Sequence, residues 1–186
     1  MQTSFKSGVG DLFKNNLSNL KISFSKISNF LNKELSAKNA FLLLFILYSL
    51  ALLSILRENI SYRDDIGRTA YGCSGWLDFS RYTTEYLSKL IHAGSYVSDI
   101  SPIPQIIAII ELSLASIFLL KCITGKKTYN LWQIVATIPL ALNPYFLECL
   151  SFKFDSPYMA LSILVAVVPV LFIKHFYFFI TATVIS

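Results

Sequence analysis

The sequence predicts an all-α, polytopic transmembrane protein with about four helical spans and part of a fifth, preceded by an amphipathic helix at the membrane interface. Three observations carry that prediction. The 186 residues are 54% hydrophobic and only 15% charged, against about 25% charged in an average soluble domain, and the mean hydropathy is +0.57. Two long runs, Ala40–Leu56 and Leu131–Leu147, hold no charged residue and approach the roughly 20 apolar residues that a helical span needs. Charge also alternates along the chain. Residues 1–38 hold six lysines against two acids, 57–101 hold five basic residues against six acids, and Lys121–Asn130 holds three lysines and no acid. Lys and Arg gather on the cytoplasmic side of a membrane, so the first and third of these segments are placed inside and the second outside. That pattern accounts for the net charge of +5 without nucleic acid. With 7 Gly, 6 Pro and 3 Cys, collagen, disorder and a disulfide scaffold are excluded.

The elements follow in order. Phe13, Leu17, Leu20, Phe24, Ile27 and Leu31 step by four and three, which puts one apolar stripe on a helix. Lys14, Lys21 and Lys33 flank it, as on a helix lying on the cytoplasmic membrane surface; packing on the protein itself or a coiled-coil seam is the alternative. Residues 1–38 thus form a cytoplasmic region and 39–186 a transmembrane domain. Span 1 is Ala40–Leu56, about 26 Å at 1.5 Å per residue. It begins too far from the amino terminus for a cleavable signal, so it reads as a retained anchor. A polar outer loop covers 57–101. Pro102 and Pro104 open span 2, about Ile103–Leu120, which contains Glu111, Pro being tolerated in a first turn. Lys121–Asn130 is an inner turn. Span 3, Leu131–Leu147, is broken at Asn143-Pro144, and a second outer loop, 148–157, leads to span 4, about Tyr158–Ile173. After the inner turn Lys174-His175, the tail Phe176–Ser186 is too short to cross a bilayer and reads as the start of a fifth span.

The chemistry concentrates in the outer loops. In SYRDDIGRTAYGCSGWLDFSR, residues 61–81, Asp64 and Asp65 sit among Arg63, Arg68 and Arg81, with Trp76 and several tyrosines close by. A carboxylate there can take a proton from a substrate hydroxyl, arginines can neutralise a phosphate leaving group, and a ring can face a sugar's C–H surface. A self-neutralising solvated loop is the competing reading. In the second loop, Asp155 either faces the same site or caps the helix that follows, since Asp-Ser-Pro is a helix-start signal. Glu111 is an acid inside a span, a functional candidate by position. Cys73 and Cys149 fall on the outer side and could pair there. No Cys/His spacing suits zinc, and no glycine-rich loop suits a nucleotide phosphate.

Tyr62-Arg63-Asp64-Asp65, then Gly67-Arg68, Gly72, Trp76 and Arg81, resembles the first periplasmic loop of the membrane-embedded bacterial glucosyltransferases that decorate O-antigen. These are often phage-encoded, serotype-converting enzymes of GT-C architecture. The stretch NPYFLECLSFKFDSPYMAL, residues 143–161, is similar to the second loop of the same family. The resemblance implies an inner-membrane enzyme with its amino terminus in the cytoplasm. Its donor would be polyprenyl-phosphate-glucose and its acceptor a sugar of O-antigen lipopolysaccharide, and it would work among membrane lipids beside a flippase and a carrier-charging glucosyltransferase. Asp64 or Asp65 would be the base, with Arg68, Arg81, Trp76 and Asp155 binding substrate. No cofactor is implied, and the need for a divalent cation is left open. The chain resembles an N-terminal portion of such an enzyme. A non-catalytic membrane protein, such as a small flippase or an assembly subunit, is the alternative.

Overall fold

The computed structural model describes residues 21–23, 25–72, 75–173 and 176–185. Residues 25–31 are helical, with Ile27 and Phe30 exposed; Phe13, Leu17, Leu20 and Phe24 of the expected amphipathic stripe lie outside the described residues. The elements that follow are β1 (Glu34–Ser36), α1 (Ala37–Ala51), α2 (Leu53–Glu58), α3 (Asp64–Tyr71), a 3-10 turn (Leu77–Phe79) and α4 (Tyr82–Ile91). After the rest of the 57–101 segment come α5 (Ile103–Thr124), β2 (Thr128–Asn130), α6 (Leu131–Ala141), α7 (Pro144–Ser151), α8 (Ser156–Leu171) and α9 (Phe176–Ile185).

The all-α expectation holds apart from one short ribbon, while the expectation of four spans is met only in part. Of these helices α5, at 22 residues, is long and apolar enough to cross a membrane alone. The expected third span is a pair, α6 and α7, bent by 59°. The bend follows from Asn143-Pro144: Pro144 has no N–H to continue the ladder, and the Asn143 side chain caps the new helix by accepting from the Phe146 N–H at 2.9 Å. Helices α1 and α8, at 15 and 16 residues, are shorter apolar helices. At Leu52 the ladder crosses into α2, with Leu52 N–H donating to Tyr48 O at 2.9 Å and Leu56 N–H to Leu52 O at 3.0 Å.

The core forms where α1, α5, α6 and α8 meet. Ala40, Leu44, Tyr48 and Leu52 recur every four residues along α1 and its end, and all are buried in one apolar cluster with Ala108, Ile109, Leu112, Ile117 and Leu120 of α5. Small residues, Ala108, Ala115, Ser116 and Ala160, let the backbones approach closely, the usual device of helix contacts in lipid. Tyr48 supplies a polar tie: its hydroxyl meets Ser116 Oγ at 2.9 Å and donates to the Thr137 carbonyl at 3.4 Å. The ribbon pairs Glu34 with Asn130, Leu35 with Tyr129 and Ser36 with Thr128, antiparallel. It joins the two lysine-rich segments at one end of the bundle, and the 57–101 and 148–157 loops meet away from it.

Candidate active site

The 57–101 segment, expected only as a polar loop, folds into α3 and α4, and α3 carries its charge inward. Asp65 and Arg68 are three residues apart and share a face; both are buried, Asp65 completely. The helix ends on Gly72, whose left-handed φ of 63° costs glycine less than any residue with a Cβ. A Cβ at Gly72 would run into the Tyr96 ring, and the Gly72 carbonyl accepts from the Val97 N–H at 3.1 Å. That close approach folds the end of the loop back over Trp76, which is buried with Val97 and Phe154.

Asp155 is the meeting point of the two loops. Although it stands at the N-cap position of α8, its side chain makes no capping bond; the structure decides against the capping alternative. Its carboxylate accepts from Arg68 Nη1 at 2.6 Å, from Trp76 Nε1 at 2.5 Å and from Arg81 Nη1 at 3.5 Å. The Arg68 guanidinium also lies over the Trp76 ring, 4.8 Å from its centroid, a cation–π contact, and Tyr158 packs edge-on to the same ring at 5.4 Å. Trp76 is therefore a buried support for Asp155 and not an exposed platform.

The adjacent acids divide. Asp64 is exposed on the first turn of α3. Asp65 accepts from the backbone N–H of Lys153 at 3.0 Å, Tyr62 at 3.3 Å and Phe154 at 3.5 Å, with Arg68 at 4.0 Å. Burial pushes its carboxyl above the ordinary range, and the backbone donors and Arg68 oppose that shift without cancelling it. A second tie, absent from the sequence expectations, runs through Lys153. Its Nζ donates to Asp99 at 2.6 Å and to Asn59 at 3.2 Å (Oδ1) and 3.3 Å (O), fastening three segments together. Burial pushes the Asp99 carboxyl up, but the bonds from Lys153 and Ser101 outweigh it and hold it below its usual value. The only sequence signal for this tie is a basic residue in the second loop that needs an acid.

A cleft of about 240 Å³ opens between α4 and α8, lined by Arg81, Thr84, Asp155, Tyr158, Met159 and Ser162. The Arg81 side chain is half exposed there while touching Asp155, so it presents a cation to whatever enters. A second, largely apolar cleft of about 300 Å³ lies beside Ser54, Ile55, Glu58, Ile60, Tyr62 and Ser151. Glu111 has a buried carboxylate oxygen with no partner and joins neither cleft wall. Among the described residues no three His, Cys, Asp or Glu side chains converge as metal ligands. Cys149 is a free thiol; the pairing with Cys73 falls on a residue outside those described.

No solved structure matches the chain. A curated relative from Salmonella phage P22, described as an uncharacterized 55.3 kDa protein in the gtrB 5′ region, is 32% identical over 131 residues. The match covers 69% of this chain and 25% of that protein, so the chain spans about a quarter of its relative's length. The family described as Glucosyl transferase GtrII matches residues 53–186, a range that takes in α3, α4, the Arg68–Asp155 contact and the cleft. On both counts the chain belongs to the GtrII glucosyltransferase family.

Proposed function

We propose that this chain carries the catalytic loops of an inner-membrane, GT-C-type glucosyltransferase that moves glucose from polyprenyl-phosphate-glucose to an O-antigen sugar on the periplasmic face. The carrying observation is the junction of two acid-bearing loops through Arg68, Trp76 and Asp155, beside a cleft that the Arg81 side chain enters. Sidedness is supported by the ribbon that gathers the lysine-rich segments at one end, away from this junction.

In this reading the acceptor hydroxyl oxygen bonds to glucose C1 as the C1–O bond to phosphate breaks. The hydroxyl proton passes to a carboxylate, and the bonding electrons leave with polyprenyl phosphate. Asp64 is the base: it is exposed, whereas Asp65 is enclosed by three backbone donors. Arg81 meets the leaving phosphate, a task for which a guanidinium's fixed fork of donors is suited. Asp155 and Trp76 hold Arg68 and the second loop in place, and the Tyr158 ring forms the cleft wall against which a sugar packs.

The test is transfer of labelled glucose from polyprenyl-phosphate-glucose to O-antigen in membranes. One arm carries this chain alone; the other carries it joined to the remainder of a full-length family member. Transfer in the second arm that is lost with Asp64→Asn supports the proposal. No transfer in either arm overturns it in favour of a non-catalytic membrane subunit.

A further inference from the structure

A buried polar atom without a partner has lost its water and gained nothing in return, so native proteins hold few of them, and those few call for a cause. Among the described residues such side-chain atoms belong to Glu85, His92, Ser101, Gln105, Glu111 and Tyr158. All six residues lie on or just after α4, at the start or in the first half of α5, or at the start of α8. None lies in α1, α6 or α7, where the apolar core is packed.

Three of the six come together at the α4–α8 cleft. The Tyr158 ring lines that cleft, its hydroxyl is buried without a partner, and the hydroxyl is within electrostatic reach of Glu85 and Glu111. Glu85 is 5% exposed. Its Oε1 stands 3.3 Å from Lys89 Nζ, while its Oε2 has no partner. The Glu85 N–H donates to the Arg81 carbonyl at 3.1 Å, so the two side chains share a face one helical turn apart, about 6 Å along α4. That face therefore offers a guanidinium at the cleft and, one turn further, a carboxylate with an unused oxygen.

The chemistry of these atoms selects the ligand. Carboxylate oxygens only accept hydrogen bonds, and a tyrosine hydroxyl can both give and take one. Glu85 and Glu111 repel an anion, whereas a neutral group rich in hydroxyls supplies the donors they lack. With a phosphate on Arg81, the ring joined to that phosphate falls beside Glu85 and Tyr158. The Lys89 side chain is 41% exposed and makes a weak tether, so the Glu85 carboxylate can turn its free oxygen toward the cleft.

We propose that Glu85 and Tyr158 form the subsite that reads the hydroxyls of the donor's glucose. Glu85 accepts from a hydroxyl remote from C1, and the Tyr158 hydroxyl bonds to its neighbour. The assignment rests on the donor reading given above and adds to it the residues that tell a glucosylated carrier from a bare one. Buried groups of this kind discriminate well, because a ligand without the matching hydroxyls leaves them unpaired.

The experiment compares binding of polyprenyl-phosphate-glucose with binding of polyprenyl phosphate, without acceptor, in lipid nanodiscs that hold the same two preparations used for transfer. Wild type is expected to prefer the glucosylated carrier. Glu85→Gln, which keeps the shape and removes the charge, should lower affinity for that carrier roughly 10-fold. Tyr158→Phe, which keeps the ring against Trp76, should lower it roughly 2- to 10-fold. Neither should change binding of the bare carrier, whereas Arg81→Ala should weaken both carriers alike. A wild type without the preference overturns the proposal, as does an equal loss for both carriers in the Glu85 and Tyr158 variants. A preference that survives both substitutions overturns it too and leaves ordered water as the partner of these atoms. If wild type shows the preference and the variants lose it, yet no glucose is transferred, the subsite stands and the glucosyltransferase reading falls. Transfer of glucose with the preference intact in both variants overturns the subsite alone.

Discussion

Arg68 donates to Asp155 at 2.6 Å across 87 residues of sequence, and both side chains are almost wholly withdrawn from solvent. This one contact fastens the 57–101 loop to the start of α8. A buried pair of this kind adds little over a well-packed apolar substitute, but breaking it leaves one uncompensated charge.

Asp155→Ala should therefore destabilise the protein by about 3–5 kcal/mol, the range for an orphaned buried charge. Thermal unfolding in detergent measures it. The double variant Arg68→Met, Asp155→Leu should recover much of that loss while restoring no transfer. Equal stability of wild type and Asp155→Ala would mean that the pair does not form.

The two adjacent acids should separate in their effects. Asp64→Asn is expected to lower the transfer rate roughly 10²–10⁴-fold, the range for loss of a general base, with an unchanged Tm because the side chain is exposed. Asp65→Asn turns one accepting oxygen into an N–H donor facing backbone donors, costing about 1–3 kcal/mol of stability. The same outcome in both variants, by rate and by Tm, contradicts this division.

Arg81→Ala should raise the donor KM while leaving Tm within experimental error, since the side chain is half exposed and its contact with Asp155 is long, at 3.5 Å. Steady-state kinetics with polyprenyl-phosphate-glucose as the varied substrate provides the readout. An unchanged KM and kcat would remove Arg81 from the donor site.

The Asp99–Lys153 tie carries a pH signature. Asp99 has a folded-state carboxyl below its ordinary value, so its contribution is present above the unfolded pKa, about 3.9, and is lost as pH falls through the lower folded value. At pH 7 Asp99→Asn should be less stable than wild type by about 1–3 kcal/mol, as for a hydrogen bond to a charged group. Unfolding midpoints should converge once pH has fallen through that lowered folded value; a gap that persists under strong acid argues against this linkage.

Gly72→Ala should disrupt the loop. It forces an alanine to φ 63° and drives a Cβ into Tyr96, and the backbone strain alone costs about 1–3 kcal/mol. Adding Tyr96→Ala removes the clash and should restore only part of the loss. Full restoration would show that the close approach, not the φ angle, governs this position.

The sequence by itself determined the helical class, the apolar segments and their breaks. Apolar runs near span length placed α5, α1, α6 and α8 close to their observed positions, although α5 carries Glu111. Asn143-Pro144 marked the α6–α7 bend because an Asn cap and a proline without an N–H act within four residues of each other. The two loops were also legible as the place for chemistry, since acids, arginines and aromatics cluster in both. Tertiary structure alone decided which residues meet. Asp64 and Asp65 are the same residue type side by side, and only the approach of Lys153 and Phe154 buries one and leaves the other exposed. Asp155 reads locally as a helix cap, yet Arg68 and Trp76, 87 and 79 residues away, claim its oxygens. The burial of Asp65 and Arg68 on α3 and of Glu85 and Ser88 on α4 follows from the same cause. Helical spacing records which residues share a face, but whether that face is buried depends on what the rest of the chain brings against it. Caps, breaks and spans are set by neighbours a few residues apart; burial and ion pairing are set by segments the chain must fold to bring together.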